Sequence, residues 1–198
     1  MKARYAIIIL AAGGSSRLGK PKQVLQFQNS TLLTNVVKAA AAIDNNDIIV
    51  VTGAYAEEVE KSITVSNVHI VMNNEWQSGL ASSIRTGINQ LQKINSEVDT
   101  CIIAVSDQPF VSGDTFSGLI EAKEATNKGI CASSYKGTAG TPALFDKKYF
   151  NTLLSLDGDE GAKKIITGHP DDVTLVPFEK GSIDIDTEQD YEKLKNQQ

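Results

Sequence analysis

Short apolar runs rich in isoleucine and valine punctuate this chain at Tyr5–Leu10, Asp47–Val51, Val68–Val71, Thr100–Val105 and Ile130–Ser134. Taken together they read as short, nearly continuous apolar strands. Between them lie stretches of helical period. Leu80, Ile84, Ile88 and Leu91 share one helix face, as do Leu32, Leu33, Val36, Val37 and Ala40; Phe116, Leu119 and Ile120 start a third stripe. Apolar strands alternating with amphipathic helices predict an α/β fold: a single Rossmann-like, mostly parallel sheet with helices on both faces. Gly87 inside the Leu80 stripe costs that helix about 1 kcal/mol relative to alanine. Beyond Ser134 the pattern is less regular. Thr187 and Asp190 form a helix-start pair, which predicts a short terminal helix over Tyr191–Lys195. With no repeat, low-complexity tract or linker, residues 1–198 read as one domain.

Charge narrows the partners. Nineteen Lys and Arg against twenty-four Asp and Glu leave a net charge of −5. That balance argues against a nucleic-acid or anionic-membrane footprint, which needs clustered cations. It permits one polyphosphate held by a local cluster. The two cysteines, Cys101 and Cys131, stand apart inside apolar runs and read as buried, reduced thiols. The apolar run Ile7–Ala12 is too short for a signal peptide, and no stretch has the length of a membrane span. A cytoplasmic location is expected.

In open α/β sheets ligands bind beyond the carboxyl ends of the strands. Ala11–Lys22, Thr52–Gly53 and Ser106–Pro109 should therefore meet in one crevice. The first of these segments, within "IIILAAGGSSRLGKPKQ", admits three readings. Gly14, Gly19 and Lys20 match the start of a P-loop, but Pro21 stands where a hydroxyl should ligate Mg²⁺ and has no N–H to give. Adjacent Gly13 and Gly14 break the spacing of a dinucleotide turn. The third reading is a nucleotidyltransferase loop. The small residues from Ala11 to Ser16, among them Ala12, Gly13, Gly14 and Ser15, let backbone N–H groups approach a triphosphate. Arg17 and Lys22 add cations that follow charge onto leaving pyrophosphate. Lone surface lysines and arginines are usually just solvated; their place in a glycine loop after the first strand reverses that expectation.

"LAAGGSSRLGKPKQ" resembles the signature L-A-A-G-x-S-x-R-M-G-x-x-K of nucleotidyltransferases of the sugar-nucleotide and molybdenum-cofactor group. "NNEWQSGLASSIRTG", "AVSDQPFV", "GTPALF", "LDGDEGAK" and "DIDTEQDY" follow in the order found in molybdenum cofactor cytidylyltransferases, so the resemblance spans Ile7 to Tyr191. Leu18 replaces a usual methionine, Thr141 a common histidine and Lys163 a common arginine; the last two fall in segments expected to face the second substrate.

The resemblance implies a nucleotide-diphospho-sugar-transferase type of sheet and a Mg²⁺-dependent transfer of CMP from CTP to a molybdopterin-type acceptor, with a molybdoenzyme as possible client. It implies that Asp107 ligates Mg²⁺ with a second carboxylate from "DIDT", Asp186 first and Asp184 next. Alternation places both aspartates on one face. Arg17 and Lys22 would hold phosphates, Lys22 nearest the α-phosphate. Ala11, Ala12 and Gly13 would line the nucleoside pocket, completed by Gly53, Gly79 and Ser83, with Trp76 anchoring the loop as a core aromatic. Competing readings are a relative using GTP or a sugar or polyol phosphate, and a non-catalytic module that binds and delivers cofactor. His69 and His169 offer nothing for a triad or zinc site. Asp159 and Glu160 are sequence neighbours that should point apart, against glycosidase chemistry.

Overall fold

A computed structural model describes residues 5–44 and 46–196. Strand β1 (Tyr5–Leu10) lies between β4 (Asn46–Thr52) and β6 (Thr100–Val105), parallel to both, and all of its residues are buried. With β5 (Val68–Met72), β7 (Ile130–Tyr135), β8 (Thr138–Asp146) and β9 (Val173–Pro177) they form a sheet of order β5-β4-β1-β6-β8-β7-β9. Only β8 runs against the rest, pairing antiparallel with both β6 and β7. The expected mostly parallel sheet is present.

An all-apolar strand feeds two cores, because successive side chains leave opposite faces. Ile8 and Leu10 point to a layer built by α3 (Leu80–Ile94), α5 (Phe150–Leu154) and α6 (Ala162–Gly168). Ile7 and Ile9 point to a layer built by α1 (Leu32–Ala41), α2 (Ala56–Ser62) and α4 (Gly113–Thr126). Fully burying each such side chain contributes about 1.5–3 kcal/mol. Gly87 explains its own presence in α3: a Cβ there would lie 2.4 Å from Ile8 Cγ2. Its helix penalty is the cost of laying α3 directly on β1.

A third, smaller core holds the parts that matter most for the site. Leu25, Phe27 of β2 (Gln26–Phe27), Leu32, Ile185 and Leu194 are buried together, beyond a two-stranded ribbon completed by β3 (Ser30–Thr31). Leu194 belongs to α7 (Glu188–Lys195), which starts on the foreseen Thr187–Asp190 capping box, three residues before the expected Tyr191. The C-terminal segment is thereby pinned beside the first loop.

Several expectations need correction. Strands β4, β5 and β7 extend slightly past their apolar runs. Leu80, the first residue of α3, precedes the helix's contact with the sheet and is exposed, while Ala81 takes the buried place. Ile120 is only partly buried. Strands β8 and β9 carried no legible signal. In β8 the pairing with β7 jumps from Ala143 to Gly140, leaving Thr141 and Pro142 outside the ladder, and Ser133 Oγ donates to Pro142 O instead (2.7 Å). That irregularity houses a proline that otherwise argues against a central strand. Edge strand β9 leaves Leu175 exposed. Among the described residues no helix is long and apolar enough to cross a membrane.

Candidate active site

Parallel register sets β1, β4 and β6 side by side, with Leu10 opposite both Val51 and Val105. The chains leaving these strands therefore emerge at one edge, as expected. Ala11 N donates to Val51 O (2.9 Å) and Ser106 N to Leu10 O (3.2 Å), extending the ladder one step into the loops.

The first loop is held by its own side chains. Ser15 takes a left-handed conformation (φ +48°), its carbonyl accepts from Leu18 N and Gly19 N, and its hydroxyl accepts from Lys22 N (3.1 Å). Gln23 is 1% exposed, and its Nε2 donates to both Ala11 O (3.0 Å) and Gly13 O (2.9 Å). The residue after Lys22 thus ties the end of the loop to its beginning and presents Lys22 inward.

Lys22 is the centre of the site. Its Nζ lies 2.5 Å from Asp107 Oδ2 and 2.9 Å from Asp186 Oδ1, and Arg17 donates to the other oxygen of Asp186 at 2.7 Å. The lysine and Asp107 side chains are 17% and 16% exposed, whereas Arg17 is 69% exposed. Burial works against the Lys22 ammonium; the carboxylates of Asp107 and Asp186 outweigh it and hold Lys22 above the ordinary lysine range. Burial likewise opposes the Asp186 charge, but Lys22 and Arg17 keep its carboxyl below the usual range. Asp184 shows the opposite balance. Burial, followed by the charges of Asp107 and Asp186, raises it. Ile185, fully buried, separates the two aspartates, and its N–H donates to Asp107 O (3.2 Å).

Two hollows meet at Val105 and Asp107. The first, about 340 Å³, is lined by Ala12, Gly13, Gly14, Lys22, Trp76, Gly79 and Ser83. The second, about 370 Å³, is lined by Gln108, Tyr135, Thr141, Ser182 and Asp184. Both exceed the lower bound for a small-molecule cleft.

Some anticipated residues lie elsewhere. Ala11 does not line the hollow: its N–H and carbonyl are taken by Val51 and Gln23. Gly53 sits underneath, where a Cβ would lie 2.6 Å from Ala12 O and 2.9 Å from Trp76 Cβ. Ser15 staples the loop from outside the hollow, and Arg17 pairs directly with Asp186 from the exposed rim. Gly14 packs on the indole: a Cβ there would meet Trp76 Cζ3 at 2.9 Å, so Trp76 both anchors and lines. Gly79, at φ +94°, starts α3. Ser83 Oγ accepts from Asn73 Nδ2 (3.0 Å), which also reaches Ser82 Oγ (2.8 Å). Asp186 meets Lys22, while Asp184 lines the second hollow, near enough to Asp107 and Asp186 to feel their charge. Among the described residues no three acidic, histidine or cysteine side chains gather as a ready metal cluster. Thr141 lines the second hollow; Lys163 is exposed on α6 and lines neither.

Sequence reasoning passed over Gln23, Asn73, Gln108 and Tyr135. Their amides and hydroxyl serve backbone and side-chain partners, and no hydrophobic periodicity marks such a role. Buried Gln108 donates to Thr141 O (3.0 Å) and Gly181 O (2.8 Å), closing the wall of the second hollow.

The family model described as the MobA-like NTP transferase domain matches residues 7–173. The nicotine blue oxidoreductase of Paenarthrobacter nicotinovorans is 28% identical over 199 residues, covering 94% of this chain and 95% of that protein. The molybdenum cofactor cytidylyltransferase of Escherichia coli (strain K12) is 30% identical over 141 residues, 71% of this chain and 69% of that one. The crystal structure of the Mycobacterium tuberculosis rv0371c homologue from Mycobacterium sp. strain JC1 superposes with a TM-score of 0.85. It is 26% identical, and the match covers 100% of this chain and 98% of that one.

Proposed function

The chain belongs to the MobA-like NTP transferase family and is a nucleotidyltransferase; from that premise we propose that it moves CMP from CTP to the terminal phosphate of a molybdopterin-type cofactor, releasing pyrophosphate. The observation that carries this reading is the position of Asp107, with Lys22 paired to it from the first hollow, where two hollows join. One hollow takes the nucleoside triphosphate against the glycine loop, and the other takes the acceptor. The acceptor's phosphate oxygen attacks the α-phosphorus, the bond to the β-phosphate bridge breaks, and pyrophosphate leaves with its charge. No side-chain nucleophile is required.

Charge placement does the catalytic work in this scheme. Lys22 exchanges its carboxylate partners for the α-phosphate, and exposed Arg17 swings to the leaving phosphates. Gly13 leaves room for close backbone approach, since nothing lies within 4 Å of where its Cβ would be. Ser83, already oriented by Asn73, faces the nucleoside.

The donor set suits a hard divalent cation: Asp107 and Asp186 already aim oxygen atoms at one positive centre. These two would hold Mg²⁺, with Asp184 the next carboxylate along the same segment. Bound there, Mg²⁺ would neutralise charge on the phosphates. A molybdoenzyme client and a cytoplasmic location complete the proposal, the latter in keeping with the buried free thiols Cys101 and Cys131.

Pyrophosphate release from CTP and acceptor is the test, run beside thermal shifts with CTP, GTP, ATP and UTP in Mg²⁺. A preference for GTP would move the assignment to guanylyl transfer. Asp107→Ala should abolish turnover with the fold intact; an unchanged rate would remove the metal assignment. Because one relative bears an oxidoreductase name, a redox readout belongs in the same assay. Redox turnover without pyrophosphate release would sink the transferase reading.

A further inference from the structure

Asp159 belongs to the "LDGDEGAK" segment, which the sequence assigned to the second substrate. The structure places it on the first hollow, beside Gly79. The Gly158–Asp159 turn lies directly against the start of α3: a Cβ on Gly79 would sit 2.3 Å from Gly158 O and 2.7 Å from Asp159 Oδ1, and Ala81 N donates to Gly158 O (3.1 Å). The next residue holds the turn's shape. Glu160 accepts from Asp157 N (3.2 Å) and pairs with Lys164, facing away from the hollow. Among the described residues the Asp159 carboxylate has neither a hydrogen bond nor an ion pair.

An ionised carboxylate only accepts hydrogen bonds. It repels phosphate, and in the transferase reading phosphate has its own place at Lys22, on the wall formed by the first loop and Asp107, with exposed Arg17 beyond it. We propose that Asp159 reads the nucleoside of the donor triphosphate by accepting a hydrogen bond from an N–H or O–H group of its base or ribose. This rests on the transferase reading above and adds to it a residue that selects the nucleotide. The same position would also complement the positive end of α3, whose first turn has no acidic residue of its own. That lesser role predicts no preference among nucleotides.

The two roles separate in equilibrium binding of CTP, UTP, 2′-deoxy-CTP and 3′-deoxy-CTP, each with Mg²⁺, to the unaltered protein and to Asp159→Ala. Losing a hydrogen bond to a charged group should weaken CTP about tenfold or more. The loss should vanish for the one analogue that lacks the matched donor. That analogue is UTP if the cytosine amine is read, or one of the deoxynucleotides if a ribose hydroxyl is read. Should GTP be the preferred base, inosine triphosphate replaces UTP and the deoxyguanosine analogues replace the other two. Equal losses for every nucleotide, no loss, or tighter binding by the variant would each overturn the assignment of Asp159 alone. Failure of the unaltered protein to bind any triphosphate would instead bring down the transferase reading beneath it. Thermal unfolding of Asp159→Ala should match the parent to within the small helix-end contribution, since no hydrogen bond or ion pair is removed.

Discussion

Lys22→Met should reveal what the ammonium does before any substrate arrives. The change keeps an aliphatic stem of similar length and removes the charge between Asp107 and Asp186. Their side chains are 16% and 27% exposed, so the pair lies between two known regimes. Exposed ion pairs contribute about 0–1 kcal/mol, and cutting a fully buried one costs about 3–5 kcal/mol. A loss of about 2 kcal/mol is expected, equivalent to a fall in Tm of roughly 4–8 °C for a chain of this size. The loss should depend on pH with a definite sign. The Asp186 pKa is depressed in the folded protein, so its contribution is present above the ordinary carboxylate pKa and disappears as pH falls through the folded value. The gap between parent and variant should therefore close on acidification. It should also narrow with added Mg²⁺, more than the parent responds, because the two carboxylates then lack their resident cation. Differential scanning fluorimetry across pH and Mg²⁺ reads all three effects. Turnover should drop by about 10²–10³ or more, the scale of removing one preorganised donor from a transition state. An unchanged Tm together with an identical Mg²⁺ response would refute the reasoning.

Gly79→Ala should cost about 3 kcal/mol in urea unfolding, since φ +94° with ψ −179° is a glycine region and the new methyl meets Gly158 O; wild-type stability would mean the start of α3 can shift freely. Far from the site, Lys148, Tyr149 and the Gly129 N–H hold the Asp172 carboxyl well below its usual range. Asp172→Asn should cost about 1–2 kcal/mol near neutrality. This contribution too exists above the ordinary carboxylate pKa and fades as pH falls through the depressed one, so parallel acid-denaturation curves for the two proteins would contradict it.

The parts legible in the sequence are those governed by short-range pattern. Tyr5–Leu10 announces a central strand because nothing polar interrupts it, and Thr187–Asp190 announces α7 because a capping box is local. Strand β8 was hidden by Pro142, whose exclusion from the ladder depends on a jump in its pairing with β7. The motifs carrying Lys22, Asp107 and Asp186 could be named from resemblance, and the strand-end rule already brought the Lys22 and Asp107 segments to one crevice; the direct pairing of Lys22 with both carboxylates could not be read there. Asp107 and Asp186 lie 85 and 164 positions from Lys22, and only the sheet's register and the buried Ile185 bring them together. Gln23 escaped notice for a related reason: its amide serves carbonyls created by the loop's own turn. Ala11 misled because a small residue in a loop suggests an open backbone, and here both its polar groups are taken.

The boundary between the two hollows also divides the polypeptide. Apart from Asp159 and its neighbouring turn, the glycine-loop side is furnished by residues up to Asp107, and the Thr141 side by residues from Val105 onward. Inheritance can therefore recombine them almost as separate parts. A crossover near Asp107 would graft a new acceptor preference onto the same glycine loop, with the Asp159 turn and Asp186 as the passengers that must travel back.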